Sequence, residues 1–368
     1  MSGASSWANA SRVLCIRLDN MGDVLMTTPA MRALRHACPG RRLTLLASPA
    51  GAALAPFLPD IDEVLAYDAP WVKNERGDPA DDARIIQALR RGQFDAAVIF
   101  TVYSQNPLPA AFMCRLAGIP LTLAHCRENP YRLLSHWAHE TEPGPATRHE
   151  ARRQLDLVER TGAFSHDPRL VFETRRTDHR SLRDKLAARG LNPDDALVVA
   201  HCGATASSRR YPAEHFAQAL TQLGARAGTV ILTGDATEQA LTHEIARMCV
   251  RVPVVDLAGA LSLGELACLI ETAGLLLSNN TGPVHLAAAL GTPVVDLYAL
   301  TNPQHAPWMV PHRLLYHDVP CKYCYRSACP ERHHDCLRKV PPEAVCGAVL
   351  ELLAETRPLS ARQPDRVA

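Results

Sequence analysis

The chain has 368 residues, and its 39 lysines and arginines against 38 aspartates and glutamates leave a formal net charge of +1. A nearly neutral total gives no electrostatic reason to expect a nucleic-acid partner. Hydrophobic residues make up 47% of the chain and charged residues 21%, a balance that excludes a largely disordered protein.

The N-terminal segment 1–12 shows neither the basic start nor the apolar stretch of a secretion signal. No apolar run reaches the roughly 18 residues that span a bilayer. We therefore expect a cytoplasmic protein, whose 12 cysteines stay reduced instead of forming a disulfide framework.

Short apolar runs alternate with helical patterns through both halves of the chain. The runs are typical of buried parallel strands, and the helical patterns repeat every three to four residues. In the first half we predict strands at 13–18, 42–47, 63–68, 94–102 and 121–125, with helices at 28–38 and 81–91 among them. In the second half we predict strands at 196–201, 229–234, 253–258, 274–279 and 293–298, separated by helices at 213–227, 237–248, 263–273 and 283–290.

This alternation predicts an α/β protein with two Rossmann-like, doubly wound domains and a cleft between them. A polar stretch from 164 to 195 interrupts the pattern, so we place the first domain at 1–165 and the second at 166–345. A last helical pattern at 342–353 precedes a polar tail, and 346–368 comprises the C-terminal helix end and this tail. Ligands bind beyond the carboxyl ends of the strands in such sheets, so polar residues that directly follow a strand are the candidates for function.

The first candidate is the stretch IRLDNMGDVL at 16–25, where Gly22 and Asp23 follow the first strand. Thr28 suits the N-cap of the next helix and Pro29 its first turn. A carboxylate at Asp23 can act as a general base, or it can cap the turn by accepting hydrogen bonds from backbone amides. The stretch has no GxGxxG pattern, so a dinucleotide fold signature is not indicated.

The second candidate is SNNTGPVHLAAALGTP at 278–293, which ends a strand and opens a helix. Asn280 or Thr281 can cap this helix, Gly282 lets the backbone approach a ligand, and Pro283 fits the first turn. The free amides and the positive helix end suit a diphosphate, and His285 can contact phosphate or ribose. The alternative is an ordinary capped helix with a packed histidine.

The third candidate is the loop HCGATASSRRYP at 201–212, which combines small residues and hydroxyls, including Thr205, with two arginines. Arg209 or Arg210 can neutralise the charge of a leaving phosphate. The alternative is a solvated loop.

Four cysteines lie close together near the C-terminus in the pattern CxxC-x4-C-x6-C, with two histidines beside them. They are Cys321, Cys324, Cys329 and Cys336. Four thiolates can hold a structural zinc or iron ion. Free thiols, or a disulfide in an oxidising compartment, are the alternatives.

The segment LDNMGDVLMTTPAMRALR at 18–35, together with 278–293, resembles glycosyltransferase family nine, the ADP-heptose:lipopolysaccharide heptosyltransferases. The RRYP of the loop at 201–212 stands where this family has a basic residue before an aromatic-proline pair. The resemblance extends from about residue 12 to about residue 345.

The resemblance implies a GT-B fold and an inverting transfer of heptose that requires no metal. It assigns Asp23 as the general base and Arg209 as the stabiliser of the departing ADP. Arg17 would face an anionic glycolipid acceptor. The remaining predicted substrate contacts are Gly22, Thr205, Asn280, Thr281, Gly282, Pro283 and His285. The first domain would bind the acceptor and the second the ADP-heptose.

Two alternatives stay open at this point. Some family members carry an aspartate where this chain has Asn280, so another nucleotide sugar is one alternative. A non-catalytic metal or redox sensor built around the cysteines is the other. Arginines gathered between 115 and 153 form either a solvated face or a surface for an anionic acceptor or lipid, with peripheral attachment to the cytoplasmic face of the inner membrane.

Overall fold

The computed structural model describes residues 6–72, 78–144, 147–192, 197–250 and 252–356. The chain divides into two units, the first ending at Glu173 and the second beginning at Thr174. This boundary lies beyond residue 165, where the sequence analysis ends the first domain. Each unit is built on one six-stranded sheet.

Strands and helices alternate in the first unit. The strands are β1 (Arg12–Arg17), β2 (Arg42–Ala47), β3 (Glu63–Ala66), β4 (Ala96–Ile99), β5 (Leu121–Cys126) and β6 (His136–His139). The helices are α1 (Met21–His36), α2 (Pro49–Ala52), α3 (Pro79–Gly92), α4 (Leu108–Ala117) and α5 (Glu150–Glu159). The strand order is β3-β2-β1-β4-β5-β6, and neighbouring strands are parallel. The order reverses between β1 and β4, where doubly wound sheets bind their ligands.

The second unit repeats this topology. Its strands are β7 (Leu197–His201), β8 (Thr229–Thr233), β9 (Val254–Asp256), β10 (Leu275–Asn279), β11 (Val294–Leu297) and β12 (His312–Leu315). Its helices are α6 (Arg176–Ala187), α7 (Ala213–Leu223), α8 (Gln239–Met248), α9 (Leu263–Thr272), α10 (Gly282–Leu290), α11 (Asp335–Arg338) and α12 (Pro342–Thr356). The parallel order β12-β11-β10-β7-β8-β9 reverses between β7 and β10. The prediction of two doubly wound α/β domains is confirmed.

The central strands of each sheet carry apolar side chains that pack against the flanking helices. In the first unit Leu14 and Ile16 of β1 are buried in a core with residues of α3 and α4. In the second unit Leu275 and Leu277 of β10 are buried in a core that includes residues of α7 and α12. Burying one such leucine or isoleucine contributes about 1.5–3 kcal/mol. These cores hold the carboxyl ends of β1 and β10 in place.

One edge strand of each sheet, β6 and β12, is absent from the prediction. Their sequences, HWAH and HRLL, contain polar residues and are only partly buried, so they lack the continuous apolar run that marks the inner strands. Helices α4, α5 and α6 are also absent from the prediction. Among the described residues, no helix combines the length and the apolarity needed to cross a bilayer.

Helix α1 begins seven residues earlier than predicted, and this corrects the proposed capping by Thr28. The N-cap is Asn20, and Pro29 lies inside the helix. A proline in a helix leaves the carbonyl four residues before it without its amide donor. The Thr28 hydroxyl donates to that carbonyl, on Leu25, at 2.6 Å. The side chain thus replaces the missing bond, and the helix continues through the proline.

We predict that Thr28→Ala lowers the free energy of unfolding by about 1–3 kcal/mol, because it removes a buried hydroxyl that serves two backbone groups. Besides donating to Leu25, this hydroxyl accepts a hydrogen bond from the Val171 amide at 2.8 Å. Urea unfolding measures the change, and Thr28→Ser, which keeps the hydroxyl, is the matched control. Equal stability of the alanine and serine variants would contradict this role.

Candidate active site

The last residue of β1, Arg17, is a buried cation surrounded by three carboxylates. Its guanidinium contacts Asp19 and Glu150 at 2.9 Å each and Asp23 at 3.3 Å. Burial by itself lowers the pKa of Arg17, but the three carboxylates outweigh it and raise the pKa above its usual range. The Arg17 side chain has no exposed surface. The predicted direct contact with an anionic acceptor is therefore not available to it, and its contacts at this edge of the sheet are with Asp19 and Asp23.

Asp23 is the third residue of α1. One of its carboxylate oxygens accepts the Asn20 amide hydrogen at 3.1 Å, and the other faces Arg17. The capping interpretation from the sequence is thus confirmed. The side chain nevertheless keeps 14% of its surface exposed. Capping and ion pairing fix the orientation of the carboxylate without removing it from the surface of the unit.

Asp19, to which the sequence analysis assigns no chemical role, is the second carboxylate at this edge. It is buried, forms an ion pair with Arg17 and accepts a hydrogen bond from the Gln105 amide. Burial raises the pKa of Asp19 to about 6, against the lowering effect of Arg17. Its position directly after β1 is the sequence signal that could have identified it.

A cavity of about 250 Å³ opens beside Asp19 within the first unit. Apolar and uncharged polar side chains form most of its wall, among them Trp71, Thr101, Gln105 and Asn106. Of the described residues in this wall, Asp19 alone is ionisable. The cavity therefore suits an uncharged group that carries hydroxyls better than it suits an anion.

In the second unit, the motif at 278–293 connects β10 to α10 as predicted. Thr281 is at the N-cap position of α10, and Pro283 lies in its first turn. The Thr281 hydroxyl donates to the Asn279 carbonyl at 3.2 Å and makes no capping bond to the helix. Thr281 and Gly282 are partly exposed. The first turn of α10 thus offers backbone amides at the carboxyl end of the central strand.

His285 is buried, and its ring lies edge-on to the ring of His305, with 6.2 Å between the centroids. The packed-histidine alternative therefore describes its position. Asn279, which the sequence analysis does not single out, is fully buried. Its side chain accepts the Tyr211 amide hydrogen at 3.0 Å and donates to the Cys202 carbonyl at 2.7 Å. Asn279 thereby ties the motif to the loop at 201–212.

The two arginines of that loop have different environments. Arg210 is exposed and donates to the Ala204 carbonyl at 2.7 Å. Arg209 is half-buried, and its guanidinium makes no hydrogen bond or ion pair within the described part of the chain. Thr205 is exposed in the same loop. Arg209 is therefore the cation whose charge is available to an anionic ligand.

Asn280 and Asp296 form a buried amide–carboxyl pair. The Asn280 amide nitrogen donates to Asp296 on β11 at 2.7 Å and to the His305 carbonyl at 3.0 Å. Burial raises the pKa of Asp296 to about 8, against the hydrogen bond from Asn280 and the positive charge of Arg209. The Asp296 carboxyl is thus neutral at pH 7.

The four clustered cysteines and His333 line one small cavity of about 20 Å³. All four are free thiols, and Cys321 lies 3.7 Å from the His333 ring. Burial raises the pKa of Cys336, which disfavours the thiolate. Across the residues that the structure describes, no three histidine, cysteine or acidic side chains are arranged to hold a metal ion. The predicted zinc or iron site is not supported, because the sulfurs share a cavity without forming a ligand set.

Apart from the cysteines, the predicted site residues fall into two groups, one at the reversal point of each sheet. Arg17 ends β1 in the first unit, and Gly22 and Asp23 follow it. The second group comprises Thr205 and Arg209 after β7 and the residues from Asn280 to His285 after β10. Each group thus occupies the edge at which a doubly wound sheet binds its ligands.

Comparison with known proteins gives consistent matches. A family model described as glycosyltransferase family 9 (heptosyltransferase) matches residues 83–334. Lipopolysaccharide heptosyltransferase 3 of Escherichia coli K12 is 25% identical over 355 residues, which cover 93% of this chain and 98% of that protein.

Two solved structures share the fold. The family 9 glycosyl transferase of Veillonella parvula has a TM-score of 0.78 at 22% identity, covering 95% of this chain and 98% of its own. Escherichia coli heptosyltransferase WaaC, solved with ADP-2-deoxy-2-fluoro heptose, has a TM-score of 0.67 at 20% identity, covering 92% of this chain and 99% of its own.

We predict that Asp296 makes the stability of the protein depend on pH. An aspartate in the unfolded chain ionises near pH 4, whereas burial keeps Asp296 protonated until about pH 8. Folding therefore takes up a proton between these values, so the stability that the neutral carboxyl contributes is complete below about pH 4 and is lost as the pH rises to about 8. The melting temperature of the wild type should fall relative to that of Asp296→Asn over this window. A constant difference between the melting temperatures of the wild type and Asp296→Asn across the pH series would contradict the assignment.

Proposed function

Since the chain belongs to glycosyltransferase family 9, we propose that it transfers a heptose from ADP-heptose to a hydroxyl of a lipopolysaccharide core or a related glycan, with inversion at the anomeric carbon. That it is a glycosyltransferase follows from the family; the donor, the acceptor and the residue roles are the proposal. The observation that carries it is the Asp23 carboxylate, oriented by Arg17 and by a backbone amide at the end of β1. In this role the first unit binds the acceptor and the second the donor.

Asp23 is the general base. It takes the proton of the acceptor hydroxyl while the acceptor oxygen bonds to the anomeric carbon and the bond from that carbon to the ADP oxygen breaks. Asp19 and Glu150 contact the same guanidinium, so Arg17 shares its positive charge among three carboxylates. Arg17 thus acts as a positioning residue for Asp23.

Arg209 and the first turn of α10 bind the diphosphate. As ADP departs, negative charge grows on its terminal phosphate, and a cation without a competing carboxylate partner stabilises that charge. The backbone amides of Thr281 and Gly282 and the positive helix end contribute in the same sense. Since these groups neutralise the leaving group, the proposed transfer requires no metal ion.

The cavity beside Asp19 receives an uncharged, hydroxyl-bearing ring of the acceptor. Trp71 offers an aromatic face in its wall, and Asp19 and Gln105 offer hydrogen-bonding groups. An anionic group of the acceptor would then bind elsewhere, since the one ionisable group in the described wall is itself acidic. An anionic glycolipid acceptor would thus place an uncharged sugar ring in this cavity and keep its charged groups outside it.

Transfer from another nucleotide sugar is the second candidate, and Asn280 is the observation that favours it, because an amide contacts a sugar or ribose hydroxyl differently from a carboxylate. A metal sensor built on the cysteines receives no support, because they form no metal site within the described residues. Peripheral attachment to the inner membrane stays a prediction.

We predict that Asp23→Asn lowers the rate of heptose transfer by about 10²–10⁴-fold, because the amide cannot take the proton. Binding of ADP, measured as the rise in melting temperature with ADP concentration, should be unchanged. Asp81→Asn is the matched control, since Asp81 is exposed and pairs with Arg84 on α3. Transfer by the Asp23 variant at the wild-type rate would remove this residue from the mechanism.

We predict that Arg209→Ala lowers the rate of transfer by about 10²–10³-fold, as expected for the loss of one group that stabilises developing charge. It should also weaken ADP binding. Arg210→Ala is the matched control and should change the rate far less, because that side chain faces the Ala204 carbonyl. If the two variants lose activity equally, the loop as a whole matters, and Arg209 has no special role.

A further inference from the structure

Asn280 is held between two hydrogen-bond acceptors. Its amide nitrogen has two hydrogens, and the structure assigns one to the Asp296 carboxyl and the other to the His305 carbonyl. Turning the amide over would place its oxygen against the carbonyl oxygen of His305, which is repulsive. The orientation of this amide is therefore determined by its surroundings.

The amide oxygen of Asn280 is the group that remains. It makes no hydrogen bond with the described residues, and it is not sealed from solvent as the free oxygen of Asp296 is. An amide oxygen accepts hydrogen bonds and cannot donate them. A ligand atom that meets Asn280 must therefore be a donor, which a hydroxyl is and an ionised phosphate is not.

Asp296 does not reach a ligand itself. Its side chain is fully buried, and the oxygen that does not contact Asn280 is sealed and has no hydrogen-bond partner in the described chain. Leaving such an oxygen unpaired carries a free-energy cost. The other oxygen of Asp296 accepts the hydrogen bond from Asn280. Asp296 can therefore affect a ligand only through the Asn280 amide.

We propose that Asp296 is a positioning residue of the donor site, which holds the Asn280 amide so that its oxygen accepts a hydrogen bond from a hydroxyl of the bound nucleotide sugar. The hydroxyl belongs either to the ribose or to the transferred sugar. This inference rests on the proposed function, because it takes Asn280 as a donor contact.

The pair also explains why this chain has an amide at position 280. Both neighbours of the Asn280 nitrogen are oxygen atoms that need a donor. An ionised aspartate there would have no N–H to donate, so the His305 carbonyl would lose its partner and would face a carboxylate oxygen instead. The amide and Asp296 therefore form a matched set.

The test compares Asp296→Leu, which removes the acceptor, with Asp296→Asn, which keeps an acceptor oxygen, and with Asn280→Leu. Dissociation constants for ADP, 2′-deoxy-ADP and 3′-deoxy-ADP are measured by calorimetry, and KM for ADP-heptose and kcat are measured separately. Asp256→Leu is the matched control, because Asp256 lies on the edge strand β9 of the same sheet, where it accepts a hydrogen bond from Thr242 of α8. Melting temperatures report whether each variant is folded.

We expect Asp296→Leu and Asn280→Leu each to weaken binding of the nucleotide sugar about 5- to 10-fold, which corresponds to one lost hydrogen bond. The value of kcat should change little. Asp296→Asn should stay close to the wild type. If the hydroxyl is on the ribose, the deoxy-ADP that lacks this hydroxyl should bind to the wild type and to both leucine variants with equal affinity. If it is on the transferred sugar, the affinity for ADP should be unchanged, and KM for ADP-heptose should rise.

The inference is overturned if Asp296→Leu binds ADP and ADP-heptose as tightly as the wild type does while Asn280→Leu does not. It is also overturned if Asp296→Asn and the Asp256 control lose as much affinity as Asp296→Leu. In those cases wild-type binding of ADP leaves the proposed function standing. A wild-type protein that binds neither ADP nor ADP-heptose would refute the proposed function, and the inference with it.

Discussion

The buried guanidinium of Arg17 is the interaction on which the first unit depends. It joins the end of β1 to α1 through Asp23 and to α5 through Glu150. Glu150 is itself fully buried and also accepts a hydrogen bond from Gln154 at 2.7 Å. Removing one partner from such a cluster leaves a charge uncompensated in the interior, at a cost of about 3–5 kcal/mol. The same contacts that hold three elements together orient the carboxylate proposed as the base.

In the second unit, neutral side chains join the end of the central strand to the neighbouring loops. Asn279 and Asn280 follow one another at the end of β10, and each uses its amide to satisfy backbone carbonyls of a different loop. Because these loops lack regular hydrogen bonding, side-chain amides take over that function. The proposed diphosphate site is thus supported by uncharged side chains, and no carboxylate among the described residues pairs with the Arg209 guanidinium.

The inner strands of both sheets were predictable, because each is a short apolar run buried on two faces. The edge strands β6 and β12 were not, since partial exposure permits polar residues there. The start of α1 was misplaced because Pro29 suggests a first turn, and only the bond from the Thr28 hydroxyl to Leu25 shows how the helix accommodates it. The cysteine spacing predicted a metal site that the arrangement of the described side chains does not provide.

The sequence by itself determined the doubly wound fold, the glycosyltransferase family and the strand ends at which polar residues gather, because periodicity and short motifs are local properties of a chain. Only the tertiary structure decided that Arg17 is buried against Glu150, 133 residues away. It also decided that Arg209 has no competing partner among the described residues, and that Asp296 holds the amide of Asn280. The protonation and orientation of these groups depend on burial and on charges brought together by folding, and neither can be read from neighbouring residues.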